Sequence, residues 1–253
     1  MASVRTRQET LADSGWRAEL VHDLRTPLSV VRLQAQLLRR VANATSGAAA
    51  NPGELALRVG RIERAVARMA GMLDELQDIA WSDATPPALQ RERTDLVGLA
   101  RRIAQDRAEQ APEHLLSVHA AEAPLYGEWD AGRLERAIAN LVDNAVKYSP
   151  AGGEVVVETW RERAADGDYA VVAVRDRGIG IPDADLPHVF RRFYRASNVV
   201  SRFQGAGLGL AGVRYIVEQH GGTVTVDSHE GWGTTVTLRL PLALPRSVAV
   251  SSS

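Results

Sequence analysis

The run "NLVDNAVKYSP", residues 140–150, closes an amphipathic helix predicted over 130–148. Leu134, Ile138, Leu141 and Ala145 recur at helical spacing and form its core stripe. Asn140, Asn144 and Lys147 stand at i, i+4 and i+7, so they share the opposite face. Two carboxamides and an ammonium on one face make a donor and acceptor set suited to a metal ion and phosphates. A merely solvated helix face carries the same letters, so the run needs company. The lysine strengthens it: of 30 basic residues, 29 are arginine and Lys147 is the single lysine. Codon usage is the simplest source of such a bias. It marks Lys147 as a position for a compact point charge toward phosphate rather than a planar guanidinium fork.

Downstream, "EVVVETW" (154–160) and "YAVVAVRD" (169–176) read as strands joined by the turn "AADG". The second strand ends in "RDRGIGIP" (175–182), with Asp176 at its end and Gly178 and Gly180 following. A carboxylate there can accept a hydrogen bond from an exocyclic amine, and glycines let backbone lie against a flat base. Any strand entering a tight turn gives similar letters. Next, "QGAGLGLAG" (204–212) leads into a helix predicted over 209–220, and such a helix start presents unpaired N–H groups to an anion. Gly207, Gly209 and Gly212 satisfy the dinucleotide fingerprint, with Asp227 about 20 residues on. Context refutes that reading, because "SNVVSRFQGA" is polar and irregular where a strand is required, and too little chain follows for a doubly wound sheet. No Gly-Lys pair occurs, which excludes a Walker P-loop, and the "HRD" and "DFG" signatures are missing.

Upstream the grammar changes. Val21, Leu24, Leu28, Val31, Ala35, Leu38 and Ala42 step as the seam of a bundle helix. Leu55, Val59, Ile62, Val66, Met69, Leu73, Leu76 and Ala80 form a second seam, with "NATSGAAANPG" (43–53) turning the chain between them. Two helices enclose little core, so the expectation is a homodimeric four-helix bundle over 16–81. Residues 1–15 are a preceding segment, 82–92 a proline-marked linker, 93–242 a second domain and 243–253 a disordered tail. Additional predicted elements are a helix at 95–110, a strand "HLLSVHA" (114–120), a strand around Leu125, and strands at 222–228 and 234–240. Helices and mostly antiparallel strands that do not alternate as repeated units indicate an α+β layer, a mixed sheet covered by helices.

Bulk properties constrain the partners. The formal net charge of −1 across 253 residues argues for no nucleic acid, and the five tryptophans form no base-stacking stripe. Zero cysteines exclude a disulfide frame, a thiolate nucleophile and a zinc–thiolate site. His114, His119, His188, His220 and His229 show no metal-ligand spacing and read as structural. No apolar run reaches the length of a membrane span, so no membrane contact by this chain is expected.

"HDLRTPL" (22–28), "NLVDNAVKYSP", "RDRGIGIP", "VFRRFYRA" (189–196) and "GAGLGLAGVRYIVEQHGG" (205–222) resemble, in order, the H, N, G1, F and G2 boxes of bacterial two-component sensor histidine kinases. The likeness covers residues 16 to about 242. It implies a dimerisation and histidine-phosphotransfer bundle followed by a GHKL (Bergerat-type) ATP-binding sandwich. It also implies that Asn144, with Asn140, holds Mg2+ against ATP, that Lys147 and Tyr148 contact phosphate, and that Asp176 reads the adenine amine. Gly178, Gly180 and Ile181 would shape the base pocket. Residues 183–207 would be the lid, with Phe190 and Phe193 as anchors and Arg195 near the γ-phosphate. Gly205, Gly207, Leu208 and Gly209 would frame the triphosphate. Two departures stand out: Asp23 replaces a common glutamate, and Ala206 a common threonine or serine.

His22 falls on the flank of its seam, and Pro27 frees the carbonyl of residue 23, which is expected to bend the helix one turn beyond the histidine. A neutral imidazole, with an ordinary pKa near ~6.5, has the lone pair that in-line phosphoryl transfer needs. Asp23 is placed to orient the ring or take its proton, and Thr26 lies one turn on. The resemblance implies transfer from His22 to an aspartate of a response-regulator receiver domain, with Thr26 serving a phosphatase activity. Other readings stay open: a GHKL-type ATPase, an anti-sigma-type serine kinase, or a nonenzymatic dimeric scaffold with a vestigial ATP site. The start of the chain, close to the bundle, suggests an excised cytosolic portion of an inner-membrane sensor.

Overall fold

The structure is a computed structural model and describes residues 28–38, 40, 53–62, 65–66, 69, 88–203 and 205–242. His22, Asp23, Thr26 and Pro27 lie outside the described residues, as do the turn at 43–51 and most of the 82–92 stretch. The chain divides into two compact units, with the break near residue 85 and residues 204–206 grouped with the first.

In the first unit, helix α1 covers 28–38 and helix α2 covers 53–62, with residues 65, 66 and 69 also helical. Among the described residues, each predicted seam is only partly covered within one chain. Val31, Leu38, Leu55, Ile62 and Met69 are half-buried, and Ala65, one step off the seam, is fully covered. Leu28, Val59 and Val66, seam positions too, are 57%, 43% and 48% exposed. Gln34, one step off the seam, is buried, and its Oε1 has no hydrogen-bond partner.

The second unit opens with β1 (Glu92–Asp95), α3 (Leu96–Ala108), β2 (His114–Ala120), β3 (Tyr126–Trp129) and α4 (Ala131–Lys147). It continues with β4 (Gly153–Ala164), β5 (Gly167–Arg175), a 3-10 turn (Leu186–His188), α5 (Gly209–Gln219), β6 (Thr223–His229) and β7 (Gly233–Pro241). The main sheet has the order β2-β4-β5-β7-β6, with β2 parallel to β4 and every other pair antiparallel. Alternate residues of the central strands, among them Val155, Val157, Val172, Val174, Leu238 and Leu240, face one core with the apolar sides of α3, α4 and α5. This is the expected mixed sheet layered with helices. In α4 the buried set Leu134, Ala137, Ile138, Leu141, Val142 and Ala145 leaves Asn140, Asn144 and Lys147 on the other face.

Two features differ from the sequence expectation. Glu92, the end of the predicted linker, already pairs with Trp129 in a small β1–β3 sheet, and Gln90 N–H donates to Asp130 Oδ2. Four residues with no clean alternation carry too little pattern to announce a strand. His220 is fully buried and its ring ties two helices together. Its Nδ1–H donates to the Ile216 carbonyl at 2.8 Å, while Nε2 accepts from the Asp130 N–H at 3.0 Å. Asp130 is the N-cap of α4, so the end of α5 is keyed to the start of α4 through a neutral imidazole.

Burial is the main influence lowering the pKa of His220, opposed by the Ile216 carbonyl, while Arg91 and Arg133 lower it further and Asp130 raises it. The unfolded chain takes up this proton near pH ~6.5 and the folded chain only in more acid solution. Stability is therefore complete above about pH 6.5 and is lost as pH falls below it. Thermal melts should show that loss in the wild-type chain and a smaller one in His220→Leu. At pH 7.5 the variant should be less stable by about 1–3 kcal/mol, because the Asp130 N–H loses its acceptor.

Candidate functional site

Three elements of the second unit converge on the polar face of α4. The first is the loop after β5. Asp176 Oδ1 accepts from the Gly178 N–H at 2.8 Å and from the Thr234 N–H of β7 at 3.2 Å. Its own N–H donates to the Thr234 carbonyl at 2.9 Å. Both protein hydrogen bonds fall on Oδ1, so Oδ2 keeps its acceptor capacity. The side chain is 9% exposed, and burial raises its pKa above the ordinary carboxylate range against the pull of the two backbone donors.

The loop then passes between two pieces of backbone. Ile179 N–H donates to the Tyr148 carbonyl at the end of α4, its carbonyl accepts from Gly231 N–H, and Ile181 N–H donates to Ser228 Oγ. A Cβ on Gly178 would stand 2.2 Å from the Tyr148 carbonyl oxygen, and one on Gly180 would stand 1.9 Å from that of His229. Gly180 also has φ +63°. These glycines are required by contact with the protein's own chain, a reason that the local sequence does not announce.

The second element is the start of α5. Helices α3 and α4 begin on aspartate caps, Asp95 accepting from Val97 N–H and Asp130 from Arg133 N–H. Helix α5 has Leu208 at that position, buried and with no side-chain cap. Its first-turn N–H groups and positive dipole end are left for something else. Gly209 brings this end against α4, where a Cβ would stand 2.6 Å from Asn140 Oδ1. Asn140 Oδ1 accepts from Asn144 Nδ2 at 3.0 Å, leaving the Asn144 carboxamide oxygen without a protein donor. Lys147 Nζ lies 5.0 Å from the centre of the Tyr148 ring.

The third element is the segment 183–203, with Gly207 ahead of α5. Phe203 meets Tyr148 edge-on, with ring centres 5.1 Å apart. Phe193 has φ +62°, a conformation unusual for a residue with a side chain, and its N–H donates to the Gly207 carbonyl at 2.9 Å. Gly205 and Gly207 have φ +146° and +71°. Phe190 is half-buried. The Arg195 guanidinium donates to the carbonyls of Val199, Val200 and Phe203 within the segment itself. Sequence reasoning missed Asp185, whose carboxylate gathers Tyr194 and Ser197, and Thr234. Their roles depend on partners 9 to 58 residues away, which no local pattern announces.

Asn140, Asn144, Tyr148, Asp176, Gly178, Gly180, Ile181, Leu208 and Gly209 thus line or brace one region between α4, the β5 loop and the α5 start. Uncapped N–H groups fit an anion, and an open carboxamide oxygen fits a hard cation. Among the described residues no cluster of three His, Cys, Asp or Glu could hold a metal, so such a cation would depend on carboxamide and ligand oxygens.

Comparison with known proteins gives the same architecture. Residues 16–85 match the family model described as His Kinase A (phospho-acceptor) domain, and residues 129–244 the one described as Histidine kinase-, DNA gyrase B-, and HSP90-like ATPase. The sensor histidine kinase WalK of Bacillus subtilis is 33% identical over 227 residues, which covers 88% of this chain and 36% of WalK. The signal transduction histidine-protein kinase/phosphatase MprB of Mycolicibacterium vanbaalenii is 33% identical over 248 residues, 97% of this chain and 48% of that protein. A solved structure of the mycobacterial sensor histidine kinase MprB superimposes with a TM-score of 0.51 at 32% identity, covering 60% of this chain and 97% of that one. The chain belongs to the bacterial two-component sensor histidine kinases, as their transmitter region, and spans less than half the length of these two curated relatives. Among its described residues no helix is long and apolar enough to cross a membrane.

The glycine argument is open to measurement. Gly180→Ala should cost about 2 kcal/mol or more in urea unfolding, because left-handed strain adds to a backbone clash. Gly153→Ala, also at positive φ but with open space around it, should cost only about 1–2 kcal/mol.

Proposed function

We propose that this chain is a protein-histidine kinase that phosphorylates its own His22 from Mg-ATP and passes the phosphoryl group to an aspartate of a response-regulator receiver domain. The observation that carries the reading is the uncapped α5 start lying against Asn140, which is bonded to Asn144, together with the half-used carboxylate of Asp176 on the loop that meets the end of α4. A triphosphate suits the helix end, and an exocyclic amine suits Asp176 Oδ2. Asn144, with Asn140, would hold Mg2+, which when bound neutralises phosphate charge. Lys147 and Tyr148 stand at the same end of α4 for phosphate contact. Gly178, Gly180 and Ile181 hold the loop that carries Asp176, and Gly205, Gly207, Leu208 and Gly209 leave the peptide free of side chains or caps where phosphates approach.

At His22 the N–P bond forms as the bond to the ADP oxygen breaks, and Asp23 receives the proton from the other ring nitrogen. Positioning supplies most of the acceleration, which is why the protein invests in backbone contacts rather than covalent help. In the reverse sense, Thr26 would orient water against a phospho-aspartate, a role in keeping with the kinase/phosphatase name of MprB. The domain plan follows: 16–81 for dimerisation and phosphotransfer, 93–242 for catalysis. Exposed Leu28, Val59 and Val66 give the first unit apolar seam positions for a second copy. We further assign the chain to the cytoplasm, as the cytosolic portion of a membrane-anchored sensor.

Incubation with ATP labelled at the γ-phosphate tests the reading. The wild-type chain should acquire an alkali-stable, acid-labile label and His22→Gln none. Label that survives in His22→Gln, or a wild-type chain that takes up none, would sink the assignment. A second measurement addresses Asp176. Asp176→Asn presents an N–H₂ to the adenine amine, so ATP affinity in calorimetry should fall about 10- to 100-fold. Its melting temperature should not fall. The raised pKa means that the ionised carboxylate detracts from stability at neutral pH, and the amide oxygen still accepts from Gly178 and Thr234.

A further inference from the structure

We propose that Asp185 is a positioning residue for the phosphoryl-transfer reaction, setting through Tyr194 and Ser197 the path of the peptide that carries Arg195. The proposal rests on the kinase reading above. Asp185 precedes the 3-10 turn, yet its carboxylate closes a loop twelve residues long. Tyr194 Oη donates to Oδ1 at 2.5 Å, and Ser197 donates to Oδ2 twice at 2.8 Å, from its backbone N–H and from Oγ. The residue is 8% exposed, and both oxygens are engaged.

Hydrogen bonds to an ionised acceptor are roughly twice as strong as neutral ones. The Tyr194 hydroxyl first, then the Ser197 donors, hold the Asp185 carboxyl below its usual range, so the clamp is charged throughout neutral pH. The same bond raises the Tyr194 phenol. Residues 194 and 197 bracket Arg195, whose guanidinium in turn gathers the carbonyls of Val199, Val200 and Phe203. Phe203 rests on Tyr148 of α4, and Phe193 bonds to Gly207 just ahead of α5. One carboxylate therefore anchors a segment that meets both helices of the site, while contacting none of Asn140, Asn144 or Asp176. A clamp of this kind acts on the group being transferred more than on the base, so ATP and ADP should respond differently to its loss.

The experiment uses the whole chain. Asp185→Asn keeps the size and removes the charge, and Tyr194→Phe removes one bond and serves should the first variant fold poorly. Autophosphorylation kcat and KM for Mg-ATP, ADP and AMPPNP affinity by calorimetry, and thermal melts are measured for each variant and the pair. We expect kcat/KM for ATP to fall about tenfold in Asp185→Asn, chiefly in kcat, with ADP affinity within about twofold. The double variant should be no worse than Asp185→Asn alone. Unchanged kinetics in both single variants, or ADP affinity lost in step with ATP, would overturn the proposal. A wild-type chain that forms no phosphohistidine would instead overturn the kinase reading. Asp185 is then judged by the ratio of AMPPNP to ADP affinity, whose constancy across the variants refutes the role and whose decrease supports it.

Discussion

The bond that the second unit depends on is the one Asp176 Oδ1 makes with the N–H groups of Gly178 and Thr234. It turns the chain out of β5 and fastens that turn to β7, so the loop cannot be moved without disturbing the central strands. Once the loop is fixed there, the remaining contacts have little freedom. Ile179 must reach the Tyr148 carbonyl, Gly178 and Gly180 must lack side chains, and the end of α4 is held against the loop. A buried carboxylate that uses one oxygen for architecture keeps the other able to accept a further hydrogen bond. The desolvation visible in its raised pKa is the cost of that arrangement.

Two carboxylates, both nearly buried, have opposite environments. Asp176 accepts two backbone donors on one oxygen and is raised, whereas Asp185 has donors on both oxygens and is lowered. Saturation distinguishes a strut from a site: the satisfied acid braces, and the unsatisfied one has capacity left for a ligand. Asn144 follows the same logic, with its amide nitrogen spent on Asn140 and its oxygen open.

Much of the second unit could be read in advance because its signals are local. The 3.6-residue stripe of α4 and the alternation of Val236, Leu238 and Leu240 in β7 specify which faces meet, and those faces do meet, whereas β5 is a continuous buried run. The glycines after β5 were legible as special positions, but their cause was not, because the atoms that exclude a side chain belong to Tyr148 and His229, far along the chain. Arg195 shows the limit most clearly. An arginine in a lid suggests a phosphate, and only the fold reveals carbonyls four to eight residues on that hold its guanidinium. The β1 strand was missed because four residues paired at a small edge sheet carry almost no periodicity. In the first unit, period alone could not separate the seam residues covered within one chain from those left open. Leu28 and Leu55 are the same letter at seam positions, yet one is exposed and the other half-buried.

The missing cap on α5 has a consequence for anyone who would engineer this molecule. By the ordinary rules, Leu208 is a defect, and a consensus-minded redesign would install aspartate or serine there and raise the melting point. The same change would place an acceptor, and in the case of aspartate a negative charge, against first-turn N–H groups that have no side-chain cap. Under the proposed reading, thermal robustness and chemistry pull apart at this residue, so variants selected only for heat tolerance would drift toward well-folded proteins deprived of their work.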